Sequence, residues 1–304
     1  MKILLLGRNG QLGWELQRSL AALGDVVPLG RDAATNLQEL CGDLTDLDGL
    51  AHTVRQVAPQ IIVNAAAYTA VERAQSEPEL AQTVNAHAPG VLATEANRLG
   101  AWLVHYSTDY VFDGSGSTPW RESDPTGPLN VYGRSKFDGE IAVAGATRHL
   151  ILRTSWLYAA RGGNFAKTML ALARERSTFS VVCDQFGAPT AAETVADATA
   201  HLLRQALARP DAAGLYHCVA SGETSWHAYA QFVVAHALAL GWELAARPAS
   251  ILAISTAEKA SAAPRPLNSR LDTAKIRSTF QLNLPHWQLL LRRMLEEITP
   301  RKAP

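Results

Sequence analysis

The sequence predicts an α/β fold, a doubly wound parallel sheet with a smaller, discontinuous α/β second lobe, and three observations carry that prediction. Short apolar runs alternate with helical patterns from residue 2 to about residue 153, the signature of strand–helix–strand units in a parallel sheet. A glycine-rich turn, Gly7-Arg8-Asn9-Gly10-Gln11-Leu12-Gly13, lies between the first apolar run and the first amphipathic stretch. A Tyr and a Lys four residues apart, Tyr132 and Lys136, project from one face of a helix predicted further on.

The run Ile3-Leu4-Leu5-Leu6 reads as a buried strand, and Leu12, Leu16, Leu20 and Leu23 recur at helical spacing after the turn. Strand, glycine turn and helix in that order make the dinucleotide (Rossmann) arrangement. Its first glycine permits the tight turn, the second lets backbone approach a pyrophosphate, and the third lets helix pack on strand. The helix N-terminus adds free N–H groups and roughly half a positive charge. The spacing here is G-x-x-G-x-x-G, a departure from G-x-G-x-x-G, and an ordinary tight turn is the competing reading. Gly7, Gly10, Gln11, Leu12 and Gly13 are the candidate cofactor contacts.

The second strand, Val26 to Leu29, ends at Gly30-Arg31-Asp32, where such a fold inspects the adenosine ribose. Arg31, helped by Arg8, suits the 2′-phosphate of NADPH, whereas Asp32 suits NADH, and both readings stay open. A short strand is expected before Cys41-Gly42-Asp43-Leu44, placing Asp43 and Leu44 at the adenine. Asp43 and Thr45 also suit the N-cap of a helix over 47–57.

Ile61 to Asn64 is the next strand, running into Ala65, Ala66 and Ala67, whose small side chains let a cofactor lie against backbone. The strand Trp102 to Asp109 carries hydroxyls to its carboxyl end, the edge at which open α/β sheets bind ligands, so Thr108 is a substrate contact. From Phe112 to Pro128 the chain is rich in Gly, Ser and Pro and reads as a lid or substrate loop. After the strand Leu150 to Arg153 come a helix over 164–174, a strand over 180–183, a helix over 194–206, a strand near 215–219 and a helix over 225–240. The stretch 247–269 reads as a substrate-covering loop, and a last helix spans 287–298. A dinucleotide-binding domain over 1–155, with parts of 190–220 returning to its sheet, and a substrate-binding lobe over 156–304 are the expected divisions.

With 28 basic and 28 acidic residues the formal charge is zero, which favours neither nucleic acid nor an anionic membrane. No apolar run approaches a membrane span, and the first strand leaves no room for a signal peptide. Cys41, Cys183 and Cys218 are odd in number and lack metal spacing, so reduced thiols in the cytoplasm are expected.

The glycine turn, Asn64-Ala65-Ala66-Ala67-Tyr68-Thr69-Ala70-Val71-Glu72, Tyr106-Ser107-Thr108-Asp109-Tyr110-Val111-Phe112-Asp113-Gly114, Tyr132-Gly133-x-Ser135-Lys136 and Arg153-Thr154-Ser155-Trp156 together resemble the extended short-chain dehydrogenase/reductases. Asp184 to Thr190 and Arg265 to Asp272 narrow the resemblance to the dTDP-4-dehydrorhamnose reductase family, in the same order along nearly the whole chain. The resemblance implies reduction of the C4 keto group of a dTDP-linked 4-keto-6-deoxyhexose with NADPH, NADH being also accepted. Tyr132 is then the proton donor, Lys136 the cation that lowers its pKa and binds the nicotinamide ribose, and Thr108 the partner of the carbonyl oxygen. Asp109 and Trp156 would touch the sugar, with a turn cap and a core tryptophan as the competing readings.

Some members of the family hold a Mg²⁺ between subunits, and Glu15, Glu193 and Glu296 or Glu297 fall in similar places. A homodimer is the corresponding partner state, and the sequence leaves it open. Two other functions share these motifs: a nucleotide-sugar epimerase or dehydratase, and a non-enzymatic NADP-binding regulatory subunit of the methionine adenosyltransferase type. Asp109 is followed by Tyr110 where a dehydratase carries an acid pair, which argues against that class.

Overall fold

In the computed structural model, which describes residues 1–259 and 261–299, six parallel strands form one sheet in the order Gly214–His217, His149–Thr154, Trp102–Thr108, Ile61–Asn64, Lys2–Leu6, Asp25–Leu29. The central strands read as continuous apolar runs because helices cover both faces. Ile3 and Leu5 point to one face, under helices Gln11–Ala21, Ala192–Ala206 and Ala274–Phe280; their Leu16, Leu20, Leu202 and Phe280 are fully buried there. Leu4 and Leu6 point to the other, under helices Leu47–Val57, Ala88–Leu99 and Val131–Ala144. The strand order reverses between Lys2–Leu6 and Ile61–Asn64, and the crevice outside the carboxyl ends at such a switch point is where ligands bind in open sheets.

A second core gathers Tyr158, Leu170, Tyr229, Val233, Trp287 and Leu291 from helices Phe165–Glu175, Trp226–Ala239 and Trp287–Ile298 and the strand Leu157–Tyr158. No described helix is long and apolar enough to cross a membrane.

Two sequence expectations fail. No strand precedes Cys41; the chain makes a 3₁₀ turn, Leu37–Glu39, and the sheet ends at Asp25–Leu29. The cause is Asn36, whose buried amide accepts from Gly30 N at 2.8 Å and donates to Gly30 O at 3.0 Å and Leu40 O at 2.8 Å. One side chain thus meets the backbone groups that strand pairing would otherwise use. The stretch 247–269 is not all loop, since Ile251–Ile254 pairs in parallel with Phe179–Val182.

Helix Val131–Ala144 is pinned at both ends. Asn130 caps its start, accepting from Gly133 N at 2.8 Å. Further along, Glu140 accepts two bonds from Arg153 at 2.8 and 2.6 Å, an ion pair whose two side chains are buried.

Candidate active site

The glycine turn packs directly on the third strand's exit. Gly7 has φ +85°, and a Cβ on it would lie 2.7 Å from Ala66 N. A Cβ on Gly13 would lie 2.0 Å from Gly7 O, so only glycine lets this helix close on this turn. Gly10 is the N-cap and no side chain caps it. Gln11 accepts from Asn164 of the second lobe at 3.1 Å, and Leu12 is buried under the turn.

Arg31 is exposed at the end of the second strand, while Arg8 donates to Pro28 O at 3.3 Å and to the Thr35 hydroxyl at 3.0 Å. Asp32 is engaged otherwise: its carboxylate accepts from Ala34 N at 3.0 Å and caps the turn Ala33–Thr35. Asp43 accepts from both Thr45 N and Oγ1 at 2.9 Å, with Leu44 buried beside it. The helix N-cap expected of Asp43 belongs instead to Asp46, which accepts from Gly49 N at 2.9 Å.

Thr108, Tyr132 and Lys136 meet at the carboxyl edge of the sheet. The Thr108 hydroxyl donates to Asp109 Oδ1 at 3.1 Å, accepts from Tyr110 N at 3.2 Å, and stands beside the Tyr132 phenol. The Tyr132 ring lies edge-on to Tyr110, with centroids 5.5 Å apart. Lys136 is 2% exposed; its Nζ donates to Tyr106 O at 2.6 Å and meets His105 Nε2 at 3.3 Å.

The expected lowering of the Tyr132 pKa by Lys136 is absent from this geometry. Burial pushes the phenol up to about 12 and a hydrogen bond from Thr108 opposes it, while Lys136 is turned to Tyr106 and His105. Burial also brings Lys136 down to about 8, against the pull of the Glu140 charge. Asp109 is raised to about 6 by burial, with Ser269 and Thr108 working against the shift, and its Oδ2 has no partner among the described residues.

Trp156 adopts φ +48°, a conformation that costs a non-glycine residue about 1–3 kcal/mol and that clusters at ligand sites. Its ring stacks on Trp226 at 3.6 Å. Trp226, Phe165, Val181, Gln185, Thr256 and Arg265 line an adjoining cavity of about 340 Å³. Arg265 pairs with Glu72 at 3.0 Å, and Glu72 also accepts from Ser261 Oγ, Ala262 N and Ala263 N, bonds that hold its carboxyl down at about 2. Arg270 pairs with Glu223 at 2.5 Å and covers the Phe186 ring. The loop after Phe112 is tied down by Asn268, which donates to Ser115 O and Thr118 O, and by Trp120, which donates to Asn268 O.

The carboxylates considered for Mg²⁺ are Glu15, Glu193 and Glu296 or Glu297. Among the described residues no three metal-ligating side chains converge. Glu193 faces Arg293 at 3.7 Å and Glu15 faces Arg18 at 3.7 Å. Glu296 lies 4.0 Å from His236, while the charges of Glu15 and Glu297 both bear on Glu193.

Sequence reasoning missed three buried groups that organise the site. Asn85, in a π-helical turn over Thr83–His87, accepts from Tyr68 N and donates to Tyr68 O and Ser135 Oγ, fastening the third strand's exit to the tyrosine helix. Asn64 and His105 lie side by side in register on neighbouring strands. A polar side chain inside an apolar strand was the available signal.

The family profile described as RmlD substrate binding domain matches residues 1–299. The dTDP-4-dehydrorhamnose reductases of Salmonella typhimurium and Escherichia coli K12 are 53% and 52% identical to this chain, each alignment covering 98% of both sequences. The crystal structure of dTDP-4-dehydrorhamnose reductase from Bacillus anthracis in complex with NADP superposes with a TM-score of 0.84 at 33% identity, over 97% of this chain and 99% of that one. A dTDP-glucose 4,6-dehydratase from Streptomyces venezuelae, 20% identical with a TM-score of 0.77, shares the fold alone. Full-length coverage at this identity, on a chain that assembles Thr108, Tyr132 and Lys136 beside a glycine turn, means that the chain belongs to the dTDP-4-dehydrorhamnose reductase family.

Proposed function

We propose that this chain is an oxidoreductase that reduces the C4 keto group of dTDP-4-dehydrorhamnose to give dTDP-L-rhamnose, with NADPH as the hydride source. The assembly of Thr108, Tyr132 and Lys136 at the switch-point edge, in a chain 53% identical to a reductase of that name, is the observation that carries the reading.

When bound, NADPH supplies the hydride. Gly7, Gly10, Gln11, Leu12 and Gly13 would hold its pyrophosphate at an uncapped helix N-terminus, Asp43 and Leu44 its adenine, and Ala65, Ala66 and Ala67 its flank. Arg31 would meet the 2′-phosphate. Asp32, spent on the turn at Ala34, is no rival for the ribose hydroxyls, which favours NADPH over NADH.

Tyr132, with a phenol held at about 12, keeps its proton at neutral pH and gives it to the C4 oxygen as negative charge develops there. The Thr108 hydroxyl orients that oxygen and steadies the charge. Lys136, whose Nζ is held on Tyr106 O and His105 and away from the phenol, would bind the nicotinamide ribose. Asp109 and Trp156 hold the sugar, one by hydrogen bonds and the other by its ring. The three free cysteines fit a reducing compartment such as the cytoplasm.

The test is loss of reduced-nicotinamide absorbance on adding dTDP-4-dehydrorhamnose. Oxidation should require the sugar and run faster with NADPH than NADH. Tyr132→Phe should lower kcat by about 10²-fold or more. Normal turnover in Tyr132→Phe overturns the assignment of the acid.

A further inference from the structure

Among the described residues Lys136 has no carboxylate within ion-pair reach; Glu140, one turn along its helix, is engaged by Arg153. Its buried Nζ instead ends a chain of hydrogen bonds that crosses the sheet. Ala66 N donates to Asn64 Oδ1 at 3.2 Å, Asn64 Nδ2 meets His105 Nδ1 at 3.3 Å, His105 Nε2 meets Lys136 Nζ at 3.3 Å, and Nζ donates to Tyr106 O at 2.6 Å. His105 is 1% exposed, and burial together with the Lys136 charge keeps its imidazole well below the ordinary value, so the ring is neutral.

Both ends of this chain have fixed roles, because a backbone N–H only donates and a carbonyl only accepts. The Ala66 N–H fixes the Asn64 amide with Oδ1 towards Ala66 and Nδ2 towards His105. His105 Nδ1 must then be the bare nitrogen and Nε2 must carry the hydrogen, which in turn needs a lone pair on Lys136. Every bond is satisfied with Lys136 as the amine. As an ammonium, Nζ has only hydrogens to offer, so the ring must move its hydrogen to Nδ1, the Asn64 amide must turn over, and Ala66 N–H loses its acceptor.

We propose that His105 is a positioning residue that couples the protonation of Lys136, through its own tautomer and the Asn64 amide, to the Ala65–Ala67 segment at the switch point. Ala66 N packs against Gly7, so the N–H released by protonation of Lys136 lies at the glycine turn. The charged groups bearing on this network are Lys136 itself and, one turn on, the Glu140–Arg153 pair.

The direct test needs no turnover. Two-bond ¹⁵N–¹H spectra of ¹⁵N-histidine-labelled protein, with the His105 signals identified by their loss in His105→Gln, read which ring nitrogen carries the hydrogen. The ring should stay neutral and pass from the Nδ1–H to the Nε2–H tautomer with a midpoint near that of Lys136, about 8, and Lys136→Met should abolish the transition. A single tautomer across the range, or an imidazolium near neutral pH, overturns the proposal.

A kinetic arm rests on the reductase reading, and the spectra stand if that reading fails. A Gln amide at 105 can accept from the ammonium or donate to the amine, as the imidazole does, so His105→Gln should keep the high-pH limb of kcat/KM for NADPH near the parent's. His105→Phe offers no acceptor and should move it downward, with kcat reduced about tenfold or more. A shift confined to His105→Phe is not a product of general loosening; an unmoved limb in folded His105→Phe counts against the coupling.

Discussion

Asp109 carries its proton up to about pH 6, because burial of its carboxyl outweighs the hydrogen bonds from Ser269, Thr108 and its own backbone that oppose the shift. An unfolded Asp loses that proton near its ordinary value of 3.8. Between those two values the native state binds more protons than the unfolded one, so stability falls as pH rises, by a total on the order of 3 kcal/mol. Asp109→Asn should therefore melt higher than the parent at neutral pH, lose that pH dependence, and still turn over more slowly for want of a sugar contact. Thermal melts at pH 5 and pH 7.5 check the first two points and steady-state rates the third.

In the sequence Arg31 and Asp32 pull the cofactor reading in opposite directions; in the structure Arg31 is exposed and the Asp32 carboxylate accepts from Ala34 N. Arg31→Asp should raise KM for NADPH by about 10- to 100-fold, the worth of one charge-assisted contact to phosphate, and leave NADH little changed. Equal losses for both cofactors would sink the 2′-phosphate assignment. What the sequence could not display was direction. It placed Lys136 one helical turn beyond Tyr132 but not its Nζ on Tyr106 O, since that depends on which strand lies beneath the helix.

At the scale of elements, the helix bearing Tyr132 and Lys136 is held to the sheet by the buried Glu140–Arg153 pair, with Arg153 also over the Phe112 ring. Removing one partner leaves the other charge buried and uncompensated. Glu140→Ala should cost about 3–5 kcal/mol, read from the shift of a chemical-denaturation midpoint. Loss of less than about 1 kcal/mol would mean that water reaches Arg153.

Helices 47–57 and 287–298 and the strand 61–64 were legible to the residue, because strong apolar periodicity meets clear breaks at their ends. Failures came where one side chain replaces a regular pairing. Asn36 supplants a strand before Cys41, and Ile251–Ile254 is a strand only because Phe179–Val182 runs beside it. Neither is written in a local pattern.

For the molecule as a whole, the parallel sheet was legible in the alternation of strands and helices, whereas the order of its strands, and so its switch point, was not. The second lobe was harder to read, because its strands are short and its core is assembled from helices far apart in the chain. It stacks Trp156 on Trp226, which with Phe165 lines a cavity of about 340 Å³, and Glu72 fastens the segment Ser261–Arg265 to the sheet domain.

The central claim is hydride transfer to C4 of the dTDP-linked keto sugar. Its most direct test is to supply NADPH carrying deuterium at both nicotinamide C4 positions and locate the label in the product by mass spectrometry and NMR. One deuteron at C4 of dTDP-rhamnose, with one oxidised cofactor released per sugar, is the predicted result. An unlabelled or epimerised sugar with cofactor retained would contradict the account and point to an epimerase.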